Sequence, residues 1–357
     1  MSIEGSAVTY TEYGTDIPKL LHTTNFKINP DAIKSNQILL KALATPLNPA
    51  DLSQLRGGYN DSPDIQLGTE PNKEKKPLHV GGNEGVYKVV KSGSDASQFK
   101  EGDLVIPKLP SFGTWRSYAI AEADNLINVN GLTVEQAATI SINPATAYQL
   151  LNNYISDWKS GDYVIQNSGT SQVSRYVSQL GKLRGIKTIS VVRDGKSQQE
   201  IDELKQFGAE HVISHSEFND ENFDISKYTK GGNVRLALNG SCDSTVANLV
   251  KSLSNKGQLV SYGFLGGADI KYSAQQQFAK DLITRRFWLT ANTYADPQGK
   301  VDTIKHLVEL YGTGKIKDVP YNKLHYKQGG SEEISKELLQ GLSNFKNGKG
   351  KQVLFYD

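Results

Sequence analysis

Residues 163–181 read YVIQNSGTSQVSRYVSQLG, and the fold turns on how this stretch is read. Tyr163 to Gln166 is a short β-prone run without charge. A polar turn follows, 167–171, with a single glycine, Gly169. Beyond it Val173, Tyr176, Val177 and Leu180 recur at i, i+3, i+4 and i+7, the apolar stripe of a helix that packs on a sheet. Strand, tight turn, helix is the opening βα unit of a dinucleotide-binding fold, in which backbone N–H groups at the helix N-terminus receive a pyrophosphate. The usual fingerprint needs three glycines, for the turn, for approach of the phosphates and for close packing of helix on strand. Here Gln172 and Ser174 stand near two of those places. The hydroxyls of Ser168, Thr170 and Ser171 offer phosphate donors and a helix cap. Taken alone, the turn reads either as a pyrophosphate site or as an ordinary polar βα loop.

The surrounding pattern extends the reading. After 163–166 and its helix come strand 188–192, helix 198–207, strand 211–214, strand 235–239, helix 245–253 and strand 258–262. Alternating strands and helices predict a doubly wound parallel sheet. Upstream, short strands at 7–11, 37–44, 85–90 and 104–107, with further β character at 115–121, alternate with Gly- and Ser-rich loops and predict a β-rich domain. A segment at 133–154 reads as helix interrupted near Pro144. A helix at 301–311 is followed by a tail with a helix near 332–339 and a strand at 352–356. One helix and one strand cannot fold alone, so the tail is expected to rejoin the first domain. The boundaries are then 1–132 with 318–357 for the β-rich domain and 133–317 for the parallel one, with a cleft between them.

Length and composition bound the possibilities. At 357 residues the chain accommodates two domains of ordinary size. Lys plus Arg is 40 against 38 acidic residues, a net charge of +2, which argues against a nucleic-acid surface. The basic run Lys73 to Lys76, broken by Glu74, reads as a solvated loop. One cysteine, Cys242, excludes an internal disulfide and a cysteine-rich zinc site. No apolar run reaches the roughly 18 residues of a membrane span. The N-terminal residues resemble neither a secretory signal nor a transit peptide, which suggests a cytosolic protein or a processed form.

At the end of the second parallel strand, Arg193 and Asp194 lie where a dinucleotide enzyme contacts the adenosine ribose. Arg193, 24 positions beyond Gly169, suits the 2′-phosphate of NADP; otherwise it is a surface loop residue. Metal is not expected. His211 and His215 are four apart but in strand-like sequence, and no H-E-x-x-H occurs. Residues 81–90, GGNEGVYKVV, are similar to the Gly-His-Glu-Gly segment of zinc alcohol dehydrogenases with Asn83 in place of the ligand His. Without metal a hydrogen-bond donor must meet a developing oxyanion. Tyr59, in the loop of NPADLSQLRGGYND (48–61), is a candidate, although most tyrosines are packing residues. Trp115 and Trp288 read equally as core or cleft.

Taken together, PLNPADLSQLRGGY (46–59), GGNEGVYKVV (81–90), FGTWRSYA (112–119), SINPATAY (141–148), VIQNSGTSQVSR (164–175), SVVRD (190–194), VRLALN (234–239), SYG (261–263), FW (287–288) and GKQV (350–353) carry a resemblance over nearly the whole chain. The chain resembles the zinc-independent branch of the medium-chain dehydrogenase/reductases, and within it the mitochondrial trans-2-enoyl-thioester reductases. That resemblance implies an α/β protein with a GroES-like catalytic domain and a Rossmann cofactor domain. It implies NADPH-dependent reduction of the 2,3 double bond of an enoyl thioester on acyl carrier protein or coenzyme A. Hydride is delivered to the β-carbon and a tyrosine, at the position of Tyr59, stabilises the enolate. By the same resemblance Asn143 approaches the nicotinamide or its ribose, Ser168, Gly169, Thr170, Ser171, Gln172 and Val173 line the pyrophosphate, and Arg193 with Asp194 meets the adenosine phosphate. Tyr262, Gly263, Phe287, Trp288 and Leu289 border the nicotinamide and acyl pocket, and Lys351 reaches the cofactor from the tail. The family implies a homodimer in the mitochondrial matrix, with the cytoplasm as the alternative, and neither a membrane nor nucleic acid as partner.

Several positions depart from the family pattern. Gln172 is bulkier than the Ala or Gly found there, Asp243 stands where Lys is common, and Phe264 replaces a second glycine. No basic residue follows Tyr59 directly. Two further readings therefore accompany the first: a quinone oxidoreductase of the same branch, sharing the cofactor turn, and a cofactor-binding protein that has lost activity and works by interaction.

Overall fold

The computed structural model describes residues 2–58, 62–72, 77–267, 269–327 and 333–357. The chain divides into two compact units: Met1–Ile142 with Thr293–Gly312 and Pro320–Asp357, and Asn143–Asn292 with Thr313–Val319.

The first unit is β-rich. Strands β1 (Ile3–Tyr10), β2 (His22–Ile28) and β4 (His79–Val80) form a small sheet in the order β2-β1-β4. A larger sheet contains β3 (Gln37–Pro46), β5 (Val86–Ser92), β6 (Leu104–Pro107), β7 (Tyr118–Glu122), β8 (Leu126–Asn128), β15 (Asn322–Tyr326) and β16 (Gln352–Tyr356). Its order is β15-β16-β3-β5-β6-β8, with β7 also paired to β3. The C-terminal strand does rejoin this unit: β16 lies antiparallel to β3 with Val353 opposite Pro46 and Leu354 opposite Thr45. The reason is visible in β16, whose Gln352, Val353, Leu354 and Tyr356 are all buried. The helix Ile334–Lys346 covers them with Ile334, Leu338 and Leu342.

The second unit is a six-stranded sheet in the order β11-β10-β9-β12-β13-β14. Its strands are β9 (Tyr163–Gln166), β10 (Lys187–Val192), β11 (Ala209–Ser214), β12 (Val234–Asn239), β13 (Gln258–Ser261) and β14 (Ile283–Arg286), and every pairing is parallel. Buried Ile165, Ile189, Val191, Ile213, Ala237 and Leu259 make the core. Strands buried on both faces read as continuous apolar runs, which is why this half was legible by pattern.

Contacts group residues 133–142 and 293–312 with the first unit, whereas the change of texture in the sequence assigns them to the second. The helix Val134–Thr139 packs on β3 and β6. Lys300, in the helix Pro297–Gly312, is buried and donates its Nζ to the Ser141 carbonyl. The helical segment is interrupted just before Pro144, as expected: Val134–Thr139 ends, and Pro144 lies in the first turn of the next helix, Asn143–Asn152, where a missing N–H costs nothing. Strand β14, reading ITRR, has no apolar alternation and was not apparent in the sequence.

Candidate active site

In the second unit β9 delivers the chain into the turn and the helix Gln172–Leu183 carries it away. Ser168 adopts a left-handed conformation with φ of 54°. Gly169 has no room for a side chain: a Cβ there would lie 2.8 Å from the Val191 carbonyl oxygen and 2.9 Å from Val192 Cγ1. Its N–H donates to that carbonyl at 2.9 Å, fastening the turn to β10. Ser171 caps the helix, its Oγ accepting from Ser174 N at 3.2 Å. Thr170 is half-buried, Gln172 opens the helix and Val173 is buried.

The missing glycines have a physical substitute. Ser174, fully buried, donates its Oγ to the Ser168 carbonyl at 3.0 Å, so a small polar side chain is satisfied where glycine is usual. Gln166 donates Nε2 to the Ser174 carbonyl and to Ser190 Oγ, each at 3.0 Å. Asn167 donates Nδ2 to Asn239 Oδ1 and Thr245 Oγ1, each at 3.0 Å, and accepts from Gly240 N at 2.6 Å. Asn167 and Asn239 thus tie the turn to the loop after β12; sequence reasoning passed over both, because buried amides have no periodicity of their own.

Tyr262 and Gly263 follow β13 and come close to the same turn. A Cβ on Gly240 would meet Tyr262 Oη at 2.5 Å and Ser168 Oγ at 3.2 Å, and one on Gly263 would lie 2.4 Å from the Gly240 carbonyl oxygen. The Tyr262 hydroxyl is buried without a hydrogen-bond partner among the described residues. Burial pushes its pKa up; Ser174 and Ser171 are near enough to oppose that shift without meeting bonding geometry. An orphaned buried hydroxyl normally costs about 1–3 kcal/mol, and here it sits over side-chain-free backbone at a helix N-terminus. Those features fit a dinucleotide, whose phosphates would meet the turn and the first N–H groups of the helix.

Arg193 and Asp194 stand exposed at the end of β10. Asp194 accepts from Ser216 N at 3.0 Å and Ser216 Oγ at 2.7 Å, bonds that hold its carboxyl below the usual range. Arg193 has no ion pair among the described residues. Phe287 is buried, with its N–H on the Ser261 carbonyl at 2.8 Å. Trp288 is exposed, with the Arg286 guanidinium 5.7 Å from its ring centre, and Leu289 opens the helix Leu289–Ala295. Asn143 begins the helix Asn143–Asn152. Asp243 is held by Ser241 Oγ at 2.7 Å and Thr245 N at 3.0 Å.

The first unit holds a buried polar cluster. Asn48 caps the helix Pro49–Leu55 and donates Nδ2 to Glu84 Oε2 at 2.9 Å. Lys351 donates Nζ to Asn48 Oδ1 at 2.5 Å and lies 3.7 Å from Glu84 Oε2. Glu84 Oε1 accepts from Ile142 N at 2.7 Å. Asp51 accepts from Asn48 N at 2.7 Å, Asn83 N at 3.1 Å and Asn83 Nδ2 at 2.9 Å. Burial pushes the carboxyls of Asp51 and Glu84 up, against Asn83 for the first and Lys351 for the second. It pushes Lys351 down, and Lys300 down to about 8. The resemblance sends Lys351 to the cofactor; in the structure its ammonium is among these buried side chains of the first unit. Tyr59 lies outside the described residues. No group of three or more His, Cys, Asp or Glu among the described residues is placed to hold a metal ion.

Comparison with known proteins gives this arrangement a family. Residues 34–131 match the alcohol dehydrogenase GroES-like domain and residues 173–298 the zinc-binding dehydrogenase family. Enoyl-[acyl-carrier-protein] reductase 1, mitochondrial, of Debaryomyces hansenii is 41% identical over the full length of both chains. An NADPH quinone oxidoreductase of Kluyveromyces marxianus is 36% identical, over 88% of this chain and 83% of its own. Among solved structures, an Etr1p complex with NADP and crotonyl-CoA has a TM-score of 0.92 and 33% identity, covering 99% of this chain and 100% of its own. The mitochondrial 2-enoyl thioester reductase Etr1p/Etr2p heterodimer of Candida tropicalis matches equally, with a TM-score of 0.92 and 33% identity over the same shares of both chains. With a GroES-like unit, a Rossmann unit and likeness along its whole length, the chain belongs to the enoyl-[acyl-carrier-protein] reductase family of the medium-chain dehydrogenase/reductases.

Proposed function

We propose that this protein reduces the 2,3 double bond of trans-2-enoyl thioesters with NADPH, on acyl carrier protein or coenzyme A. The observation that carries the reading is that similarity to enoyl reductases runs through both units at once, rather than through the cofactor turn that any member of the superfamily needs. NADPH supplies the hydride received by the β-carbon. The chain's part is to bind, to orient and to stabilise charge. Ser168, Gly169, Thr170, Ser171, Gln172 and Val173 with Tyr262 and Gly263 hold the dinucleotide, Arg193 meets its 2′-phosphate, and Asp194 fixes Ser216 beside it. Asn143, Phe287, Trp288 and Leu289 serve the nicotinamide and acyl end. Tyr59 donates to the thioester oxygen as negative charge builds there, the electrostatic stabilisation a metal-free site requires. In this assignment Met1–Ile142 and its returning segments are the catalytic domain, and Asn143–Asn292 the cofactor domain.

The test is NADPH oxidation with crotonyl-CoA and longer enoyl-CoA substrates for the parent protein and Tyr59→Phe. Loss of the oxyanion donor is expected to lower kcat by roughly 10²-fold; a normal rate in Tyr59→Phe would remove the tyrosine from the reaction. The relative of Kluyveromyces marxianus favours one second reading, quinone reduction, and faster turnover of a quinone than of any enoyl thioester would establish it instead.

We also propose a homodimer in the mitochondrial matrix. Strand β14 has all four residues exposed and no strand on its outer side among the described residues. Phe278, in the helix Ala274–Lys280 that precedes it in the chain, is 88% exposed. An open edge with apolar neighbours is a template for a second copy. Light scattering should give twice the chain mass, and a monomer at micromolar concentration would refute this. The relatives' names support the compartment, which fractionation of a tagged full-length protein tests.

A further inference from the structure

The peptide bond between Ser141 and Ile142 is held at both of its polar ends by a buried charge. Its carbonyl accepts from Lys300 Nζ, and its N–H donates to Glu84 Oε1 at 2.7 Å. Lys300 is 3% exposed and Glu84 1%. The two groups come from far apart in the chain, Glu84 from the segment before β5 and Lys300 from the helix Pro297–Gly312. Neither is free to swing. The second oxygen of Glu84 accepts from Asn48 Nδ2 at 2.9 Å, with Lys351 Nζ 3.7 Å away. The helix that carries Lys300 is seated by buried Ile304, Leu307 and Leu310.

A neutral peptide needs no charged partner, since a hydroxyl or an amide would satisfy either end. Here an ammonium and a carboxylate are both buried against it. Burial pushes Lys300 down to about 8, and Glu84 opposes that shift. Burying charges in this way is weak evidence for stability, whereas charge-assisted hydrogen bonds at both ends of one plane fix its place and tilt. That plane leads directly into Asn143, the first residue of the helix Asn143–Asn152. On the other side of Asn143 comes buried Pro144, whose ring fixes its own φ and restricts the residue before it. Asn143 is thus bracketed by a clamped peptide and a proline.

We propose that Glu84 and Lys300 are positioning residues for the reaction: by clamping the Ser141–Ile142 peptide they set where the Asn143 side chain meets the nicotinamide end of the cofactor. The inference rests on the reading of Asn143 as a nicotinamide contact. A displacement of about 1 Å in a reacting or orienting group can cost on the order of 10²-fold in rate, and the clamp acts on the peptide directly before the residue it aims.

The experiment is a double-mutant cycle on the full-length protein. Lys300→Met and Glu84→Asp are each made alone and in the Asn143→Ala background, and kcat with crotonyl-CoA and NADPH affinity by fluorescence are measured. Lys300→Met keeps the aliphatic stem and removes the ammonium. Glu84→Asp keeps the charge that faces Lys351 but draws the carboxylate back by one methylene, so it decides the matter if Lys300→Met does not fold. The expected result is a fall in kcat of about tenfold in each single variant, with NADPH affinity held within about twofold because only the nicotinamide end is misplaced. That fall should vanish once Asn143 is already Ala, because effects acting through one group are not additive. Equal losses in both backgrounds would show a general structural role and overturn the proposal, as would unchanged kcat in the single variants or NADPH affinity falling in step with kcat. If Asn143→Ala itself turns over normally, the reading of Asn143 fails, and the proposal falls with it for that separate reason.

Discussion

Replacing Lys351 with Met separates two roles for this side chain: a cofactor contact, as the resemblance implies, or the counter-charge of the buried cluster. Met keeps most of the aliphatic length and removes the ammonium. Glu84, whose side chain is fully inaccessible, then keeps hydrogen bonds from Asn48 Nδ2 and the Ile142 N–H and the more distant charge of Lys300, but loses its nearest ammonium. At pH 7 the least costly response is to take up a proton. Moving a carboxyl from its ordinary 4.5 to 7 costs about 3.4 kcal/mol at 1.36 kcal/mol per unit. Asn48 Oδ1 loses a charged donor worth about 1.5–3 kcal/mol, part of which water recovers. A loss of about 4 kcal/mol follows, within the roughly 3–5 kcal/mol found when a buried pair is broken from one side. Urea unfolding followed by circular dichroism measures it. The sign of the pH dependence is fixed as well. Burial already raises the folded-state pKa of Glu84 in the parent, and without the opposing Lys351 charge it rises further in the variant, so the folded variant holds the proton to higher pH and loses stability relative to the parent as pH rises through that window. The deficit against the parent should therefore widen from pH 5 to pH 7. Adding Glu84→Gln should recover most of the loss. Parental stability in Lys351→Met, accompanied by tenfold weaker NADPH binding, would refute the structural role.

Two further outcomes concern the cofactor turn. Gly169→Ala places a methyl group 2.8 Å from the Val191 carbonyl oxygen, an overpacking of about 1–3 kcal/mol relieved only by lifting the turn off β10. NADPH affinity by fluorescence titration should fall about tenfold, and unchanged affinity would show that the turn does not touch the phosphates. Arg193→Ala should raise KM for NADPH about tenfold while leaving NADH within twofold, since only the former carries a 2′-phosphate for a guanidinium to meet; equal effects on both cofactors would remove Arg193 from that role.

The amino-acid sequence by itself determined the two-part architecture and the site's approximate place. Buried parallel strands such as YVIQ in β9 and SVV in β10 announce themselves as apolar runs, and the stripe Val173, Tyr176, Val177, Leu180 marks the helix that packs on them, because both patterns are imposed locally by burial. The same locality explains what escaped. Charged β14 has no alternation, and its strand conformation comes from pairing with β13. Residues 133–142 read as the start of the second half, yet pack on β3 and β6 because their apolar face finds its partners there. Only the tertiary structure decided how one glycine suffices in the turn, with Ser174 satisfied on Ser168 and Gln166 binding helix to sheet. Only it brought Lys351 to Glu84 and Asn48, and Asn83 to Gln54 and Asp51. A buried polar side chain is placed by partners that are distant in the chain, up to 303 residues for Lys351 and Asn48, and no local period records them.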